Sequence, residues 1–246
     1  MTNSRCGIAV RLLSVLGLLV LAATSWAQPH NPITEKLAKT YGIDSWDQVE
    51  AVRYTWNGEI TGLFKAAHKW EWEPKTNKVT FEGTDKDGKP VNVSYVRTDL
   101  SSQSDAVKNQ IDPSFINDNY WALFPFHAYW DTSATVSDQG MQKLPLGTAS
   151  ADLVSVKYPS EAGGYTPGDT WNLYIGKDDR IQLLEFHHGG DAKPSLVIAT
   201  WTGYKKAGPL LFSTEHRGTA DGKPLHIVLT NVAVKTVGSS TWMDAK

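Results

Sequence analysis

Phe64-Lys65-Ala66-Ala67-His68-Lys69-Trp70-Glu71-Trp72-Glu73 decides the fold class of this chain. Phe64, Ala66, His68, Trp70 and Trp72 alternate with Lys65, Ala67, Lys69, Glu71 and Glu73. Successive side chains of a strand point to opposite faces, so one face collects the aromatic rings and the other the charges. That is the pattern of a half-buried antiparallel strand. Val52, Tyr54 and Trp56 repeat it one strand earlier. Thr76-Asn77 and Lys86-Asp87-Gly88-Lys89 supply hairpin turns around strands near Val79–Glu82 and Val91–Val96.

Working outward, β character resumes at Asp152–Tyr158, Thr170–Ile175, Arg180–His187, Leu196–Tyr204, Leu210–Thr219 and Leu225–Val234. The turns Lys177-Asp178-Asp179 and Ala220-Asp221-Gly222-Lys223 are short and polar, which suits antiparallel neighbours. Nothing alternates as βαβ, and no repeat of fixed period points to a propeller or solenoid. About ten strands in one sheet should curl rather than stay flat. The stretch from Asp131 to Ala151 reads as less regular.

Two helices interrupt this pattern. Asn31-Pro32 opens the first, with Ile33, Leu37 and Tyr41 on one face and Gly42 as its stop, and Asp44 to Gln48 adds a turn. The second lies in Asp112–Trp130, where seven of the seventeen residues from Ser114 to Trp130 are aromatic against 11% for the chain. Asp112 suits an N-cap, Pro113 the first helical position and Pro125 a stop. Ile116, Tyr120, Leu123 and Phe124 then form one apolar face, placed to plug the sheet or roof a cavity.

The first 27 residues read as a cleaved signal peptide. Arg5 and Arg11 form its positive start, Leu12 to Ala23 its apolar core, and Ser25-Trp26-Ala27 the site for cleavage before Gln28. The apolar run is shorter than the roughly 20 residues of a membrane span, and the mature chain has no second one. Cys6, the only cysteine, leaves with this segment, so no disulfide or thiol ligand is expected. Losing two arginines and no acid takes the formal charge from −2 to −4. That balance carries no basic patch for nucleic acid or an anionic membrane. Residues 28–246 read as a single domain, since no linker or charge block divides them.

Three local pieces go further: Asn117-Asp118-Asn119-Tyr120-Trp121-Ala122-Leu123-Phe124-Pro125-Phe126, Asp169-Thr170-Trp171-Asn172-Leu173-Tyr174-Ile175, and Ala199–Phe212 with its Trp-Thr-Gly-Tyr and Gly-Pro-Leu-Leu-Phe. With the signal peptide, the first helix and the two runs of hairpins, the chain resembles the LolA-like superfamily of periplasmic proteins over roughly Val49 to Thr236. Similar pieces occur in an uncharacterised branch of that superfamily. The resemblance implies a mainly β (α+β) fold: a strongly curved antiparallel sheet forming an incomplete barrel, with helices on its concave face. It also implies an apolar cavity between sheet and helical lid, which in the lipoprotein carriers receives acyl chains. Arg53 and Arg97 are the candidates, by strand location, for the carriers' cavity arginine.

The expected ligand-binding cavity is lined by Trp56, Phe64, Trp70, Trp72, Tyr120, Trp121, Phe124, Trp171, Phe186 and Trp201. Aromatic rings fill ordinary cores in the same way, so each position has a packing reading beside the binding one. His187-His188-Gly-Gly-Asp191 is a weak metal-like cluster, better read as a polar strand end, with His68, His216 and His226 as further strand histidines. Asp85-x-Asp87-Gly88 imitates a calcium loop, but Val96 stands where the bidentate Glu is needed, leaving a hairpin turn. Glu185 and His187 share a strand face two residues apart, a candidate acid–base pair that exposed polar positions on a half-buried strand would equally produce. No nucleophile motif or phosphate loop is present. The expectation is a periplasmic, non-enzymatic carrier of an apolar or acyl-chain-like ligand, with no cofactor, no metal and no catalytic residue. The rivals are an interaction module with an envelope-protein partner and, third, a metal-dependent enzyme using the strand histidines.

Overall fold

A computed structural model describes residues 30–85, 87–161 and 167–246. The expected signal peptide, residues 1–27, and cleavage before Gln28 fall outside the described residues, as does Lys86 of the expected hairpin turn.

Helix α1, Pro32–Tyr41, is started by Asn31, whose side chain accepts from Ile33 N, and stopped by Gly42 at φ 103. That left-handed conformation costs glycine little and other residues more. A short 3-10 segment, Ile43–Gln48, leads into β1, Val49–Ile60. β2 (Phe64–Glu73), β3 (Lys78–Thr84) and β4 (Pro90–Val96) follow as hairpins. After helix α2, Asp112–Trp130, come β5 (Thr135–Lys143), β6 (Ser150–Lys157), β7 (Thr170–Ile175), β8 (Ile181–His187) and β9 (Leu196–Thr200). The small pair β10 (Lys205–Ala207) and β11 (Leu210–Phe212) precedes β12 (Glu215–Ala220), β13 (Lys223–Thr236) and β14 (Met243–Asp244).

All strands but β10 and β11 form one antiparallel sheet, in the order β4-β3-β2-β1-β13-β12-β9-β8-β7-β6-β5, with β14 on β13. β4 and β5 end the path without meeting, so the sheet does not close into a barrel. It is strongly curved, and α2 measures the curvature. Phe115 on α2 packs edge-on against Trp70 of β2, while Phe124 on the same helix stacks on Trp171 of β7 at 4.3 Å. β2 and β7 are six steps apart along the path, which would be about 29 Å in a flat sheet at the usual strand spacing. Only a sheet wrapped around the helix lets both strands touch it.

Three sequence readings are corrected. The helix does not stop at Pro125: it breaks at Leu123 (φ −131, ψ 22) and continues to Trp130. Proline cannot donate to the carbonyl four residues back and clashes with it, whereas near the start of a new helical segment it does neither harm. Asp112 is not an N-cap. A π-helical stretch, Val107–Ile111, runs into α2, and Ser104 Oγ accepts from Val107 N in the preceding turn. The buried Asp112 carboxylate instead accepts from the Tyr95 hydroxyl at 2.9 Å and Arg97 Nε at 2.8 Å. Finally, the stretch after Asp131 contains β5, an exposed edge strand paired with β6 through a bulge between Asp138 and Met141.

The core follows from this wrapping. α2 is buried on nearly every side, not along the single Ile116, Tyr120, Leu123 and Phe124 face. A helix apolar all round belongs in an interior. Fully buried rings such as Phe115, Phe124 and Phe126 each contribute about 1.5–3 kcal/mol by leaving water. α1 is tied to β8 by a hydroxyl relay: Ile181 N donates to Tyr41 Oη, and Tyr204 Oη donates to the Ile181 carbonyl.

Candidate functional site: an open groove at one end of the concave face

Along β2 the concave face changes character. Trp72 and Trp70 are buried, His68 and Ala66 are half-buried, and Phe64 is 42% exposed. Across the register, Trp56 opposes His68 and Gly58 opposes Ala66. The Trp56 indole lies over Gly58, and on β3 Phe81 lies over Gly83 in the same way. With no side chain at Gly58 and only a methyl group at Ala66, this end of the face is shallower than where large rings fill it further along. The N-terminal half of α2 covers only part of it, and the result is a groove.

The groove has two adjoining halves that share Trp56, Leu63, Phe64 and Asn117. The first, about 530 Å³, is walled by Ile60, Trp121, Phe186, Pro194, Val197, Leu225 and Ile227, with Glu59, Lys193, Asp221 and Lys223 among its polar lining. The second, about 1060 Å³, is walled by His68, Phe81, Val91, Asn109, Gln110, Ile111, Ser114 and Asp118. These sizes match small-molecule sites, which run to about 300–1,000 Å³ and are mostly apolar with a few placed polar groups. Leu63, 65% exposed, and Phe64 stand at the lip.

Of the ten expected cavity residues, Trp56, Phe64, Trp121 and Phe186 line this groove. Trp70, Trp72, Tyr120, Phe124, Trp171 and Trp201 pack in the core instead. Ile116, Tyr120, Leu123 and Phe124 do not roof the groove, and that place is taken by Pro113, Ser114, Asn117 and Trp121. Neither candidate arginine reaches it. Arg53 pairs with Asp244 at 3.0 Å beneath Trp242, and Arg97 is held by Asp112.

Sequence reasoning missed the polar centre of the site. Asp118 is 1% exposed, and its Oδ2 lies 2.7 Å from His68 Nδ1 and accepts from Trp70 Nε1 at 2.8 Å, while Asn117 Nδ2 donates to Oδ1 at 3.0 Å. With Asp118 ionised, its Oδ2 accepts from both the Trp70 indole N–H and His68, which places a proton on His68 Nδ1. Burial raises the Asp118 carboxyl above its ordinary value, and its hydrogen bonds to His68, Trp70 and Asn117 pull against that. Ser114 lines the same groove one helical turn away, but its hydroxyl donates to the Gln110 carbonyl at 2.8 Å.

The other histidines lie elsewhere. His187 Nε2 is 3.9 Å from Glu185 on an open strand face, and His188 Nε2 is 4.0 Å from Asp169. His226 meets Glu215 at 2.8 Å, and His216 is buried beside Trp201. No group of three metal-type side chains converges among the described residues. Asp85 closes the hairpin turn, its Oδ1 accepting from Asp87 N and Lys89 N at 2.9 Å. No helix among the described residues is long and apolar enough to cross a membrane.

No protein-family model and no curated protein sequence matches this chain. Three solved structures resemble it in form. A DUF1329 family protein from Desulfovibrio piger aligns over 87% of this chain and 96% of its own, with a TM-score of 0.47 and 11% identity. A LolA superfamily protein from Nitrosomonas europaea aligns over 84% and 93%, at 0.46 and 8%. The lipoprotein LppX of Mycobacterium tuberculosis aligns over 81% and 94%, at 0.31 and 8%. One of these structures carries the name of the expected superfamily. At such scores and identities the likeness carries nothing about ligand or activity.

Proposed function

We propose that this chain is a non-enzymatic binding protein that carries an apolar or amphipathic, acyl-chain-like ligand in the groove between β1, β2, β13 and the start of α2. In this reading residues 1–27 are removed on export, residues 28–246 act as a single domain, and the protein works in the periplasm. One observation carries the proposal: apolar side chains line an open groove at the end of the concave face where Gly58 and Ala66 stand in place of larger residues. Apolar surface left open beside a filled core is a mark of a binding site.

The interaction-module reading has less support. The free edge strand β5 is polar along most of its length and carries a bulge, both of which blunt edge pairing.

The test is a titration with a fluorescent fatty-acid analogue on Leu63→Asp, Phe186→Asp and the distant control Met141→Asp. The groove variants should lose about tenfold or more in affinity, the equivalent of 1.4 kcal/mol or more. The Leu63 and Met141 substitutions should leave stability within about 0.5 kcal/mol, as exposed positions do. Equal affinity for all three variants and the parent would remove the groove from consideration.

A further inference from the structure

The two halves of the groove differ in chemistry. Around Ile60, Phe186, Leu225 and Ile227 the wall is apolar, while around Asp118 it carries the amides of Asn109, Gln110 and Asn117 and the edge of one imidazole. With its proton at Nδ1 held by Asp118, His68 offers Nε2 as a lone-pair acceptor, and Nε2 has no protein partner among the described residues. Trp56 stacks on His68 with ring centres 5.6 Å apart and planes 15° apart, and its buried Nε1–H is also without a partner among the described residues.

A free acceptor on His68 suits a group that gives a hydrogen bond, as a hydroxyl does. An ether or ester oxygen only accepts and would set a lone pair against Nε2. A carboxylate would do the same and bring a second negative charge towards Asp118. Nor does this half offer a free cation among the described residues: its lining Lys65 is paired with Glu59 at 3.1 Å.

We propose that His68 Nε2 accepts a hydrogen bond from the hydroxyl head of an uncharged long-chain amphiphile, with the chain lying in the apolar half. The inference rests on the groove reading and narrows it to a ligand class. Asp118 acts as a positioning residue, fixing which nitrogen of His68 carries the proton.

The experiment compares dodecanol, its isomer methyl undecyl ether and dodecanoate at neutral pH, followed by tryptophan emission. Dodecanol should bind about fivefold more tightly than the ether, the scale of one net hydrogen bond. The double variant His68→Phe/Asp118→Asn, which strands no buried carboxylate, should bind both equally and keep the parent affinity for the ether. A measurement on the unaltered protein stands beside it: the 15N resonance of His68 Nε2 should shift with dodecanol and stay with the ether, which a purely structural histidine would not do. Equal affinity for alcohol and ether, or an unmoved resonance, overturns the anchor and leaves the groove reading intact. Preference for dodecanoate also overturns it, moving the head group towards Lys193 and Lys223. Failure to bind any of the three removes the groove reading and the anchor together.

Discussion

The Trp56 indole lies so close over Gly58 that a methyl group at position 58 would fall 2.0 Å from the ring. Real carbon contacts never come that near, so any side chain at 58 must push the indole aside. Across the sheet Gly58 faces Ala66 on β2 and Ile227 on β13, both in or beside the groove. Gly58→Ala is therefore expected to drive Trp56 into the groove. Overpacking of this kind costs about 1–3 kcal/mol, and chain binding should fall while the fold survives. Unchanged affinity with a lowered urea midpoint would mean that Trp56 is no part of the binding surface.

Removing His68 alone should harm stability more than removing the pair. His68→Leu leaves the Asp118 carboxylate buried with one donor fewer, and stranding a buried charge costs about 3–5 kcal/mol. Asp118→Asn keeps an acceptor for Trp70 Nε1 and should cost less. A double-mutant cycle on urea midpoints is expected to give a coupling of about 1 kcal/mol or more. Additive losses would mean that the two side chains do not depend on each other.

Stability should fall as pH drops below neutral. His216 donates Nδ1–H to the Thr200 carbonyl at 3.2 Å, and its buried Nε2 has no partner among the described residues. Burial lowers its pKa to about 3, and burial likewise lowers His127 to about 4. In the unfolded chain both take up a proton near pH 6.5, so the unfolded state binds more protons through this range. Their contribution is complete above pH 6.5 and shrinks as pH falls towards the folded values, by up to about 1.4 kcal/mol per pH unit for each histidine. Asp118, raised by burial, works in the opposite direction at the acid end. The clean comparison is therefore the difference in urea stability between the parent and His216→Phe at pH 7, 5.5 and 4.5, which should narrow steadily as pH falls. A constant difference would contradict the buried neutral histidine.

Much of the fold was legible because each element carried its own signal. Asn31 and Gly42 bracket α1, and the alternation from Phe64 to Glu73 marks β2 residue by residue. β5 was not legible, because a strand exposed on both faces has no apolar period to read. Pro125 misled because a break at Leu123 turns a helix stop into a helix start. The site was half legible. Period two identifies a buried face without saying whether protein or ligand covers it, so four of the ten aromatic positions line the groove and six fill the core. The His68–Asp118 pair was out of reach, its members fifty residues apart with no local pattern joining them. The usable signal was Trp56-x-Gly58 and Phe81-x-Gly83, in which a ring precedes a glycine by one strand period on the face that is otherwise aromatic.

The central claim is that the groove holds an alkyl chain, and a chain-length series measures it most directly. Purified protein is titrated with even-numbered alkanols from hexanol to hexadecanol, using the emission of the tryptophans at the groove wall, Trp56 and Trp121. Apolar burial contributes about 0.8 kcal/mol per methylene, so affinity should rise about fourfold for each added carbon until the groove is full and then level off. Saturable binding with that slope and a plateau is the predicted result. Absence of binding at every length, or affinity that does not change with length in a protein that melts normally, would contradict the account.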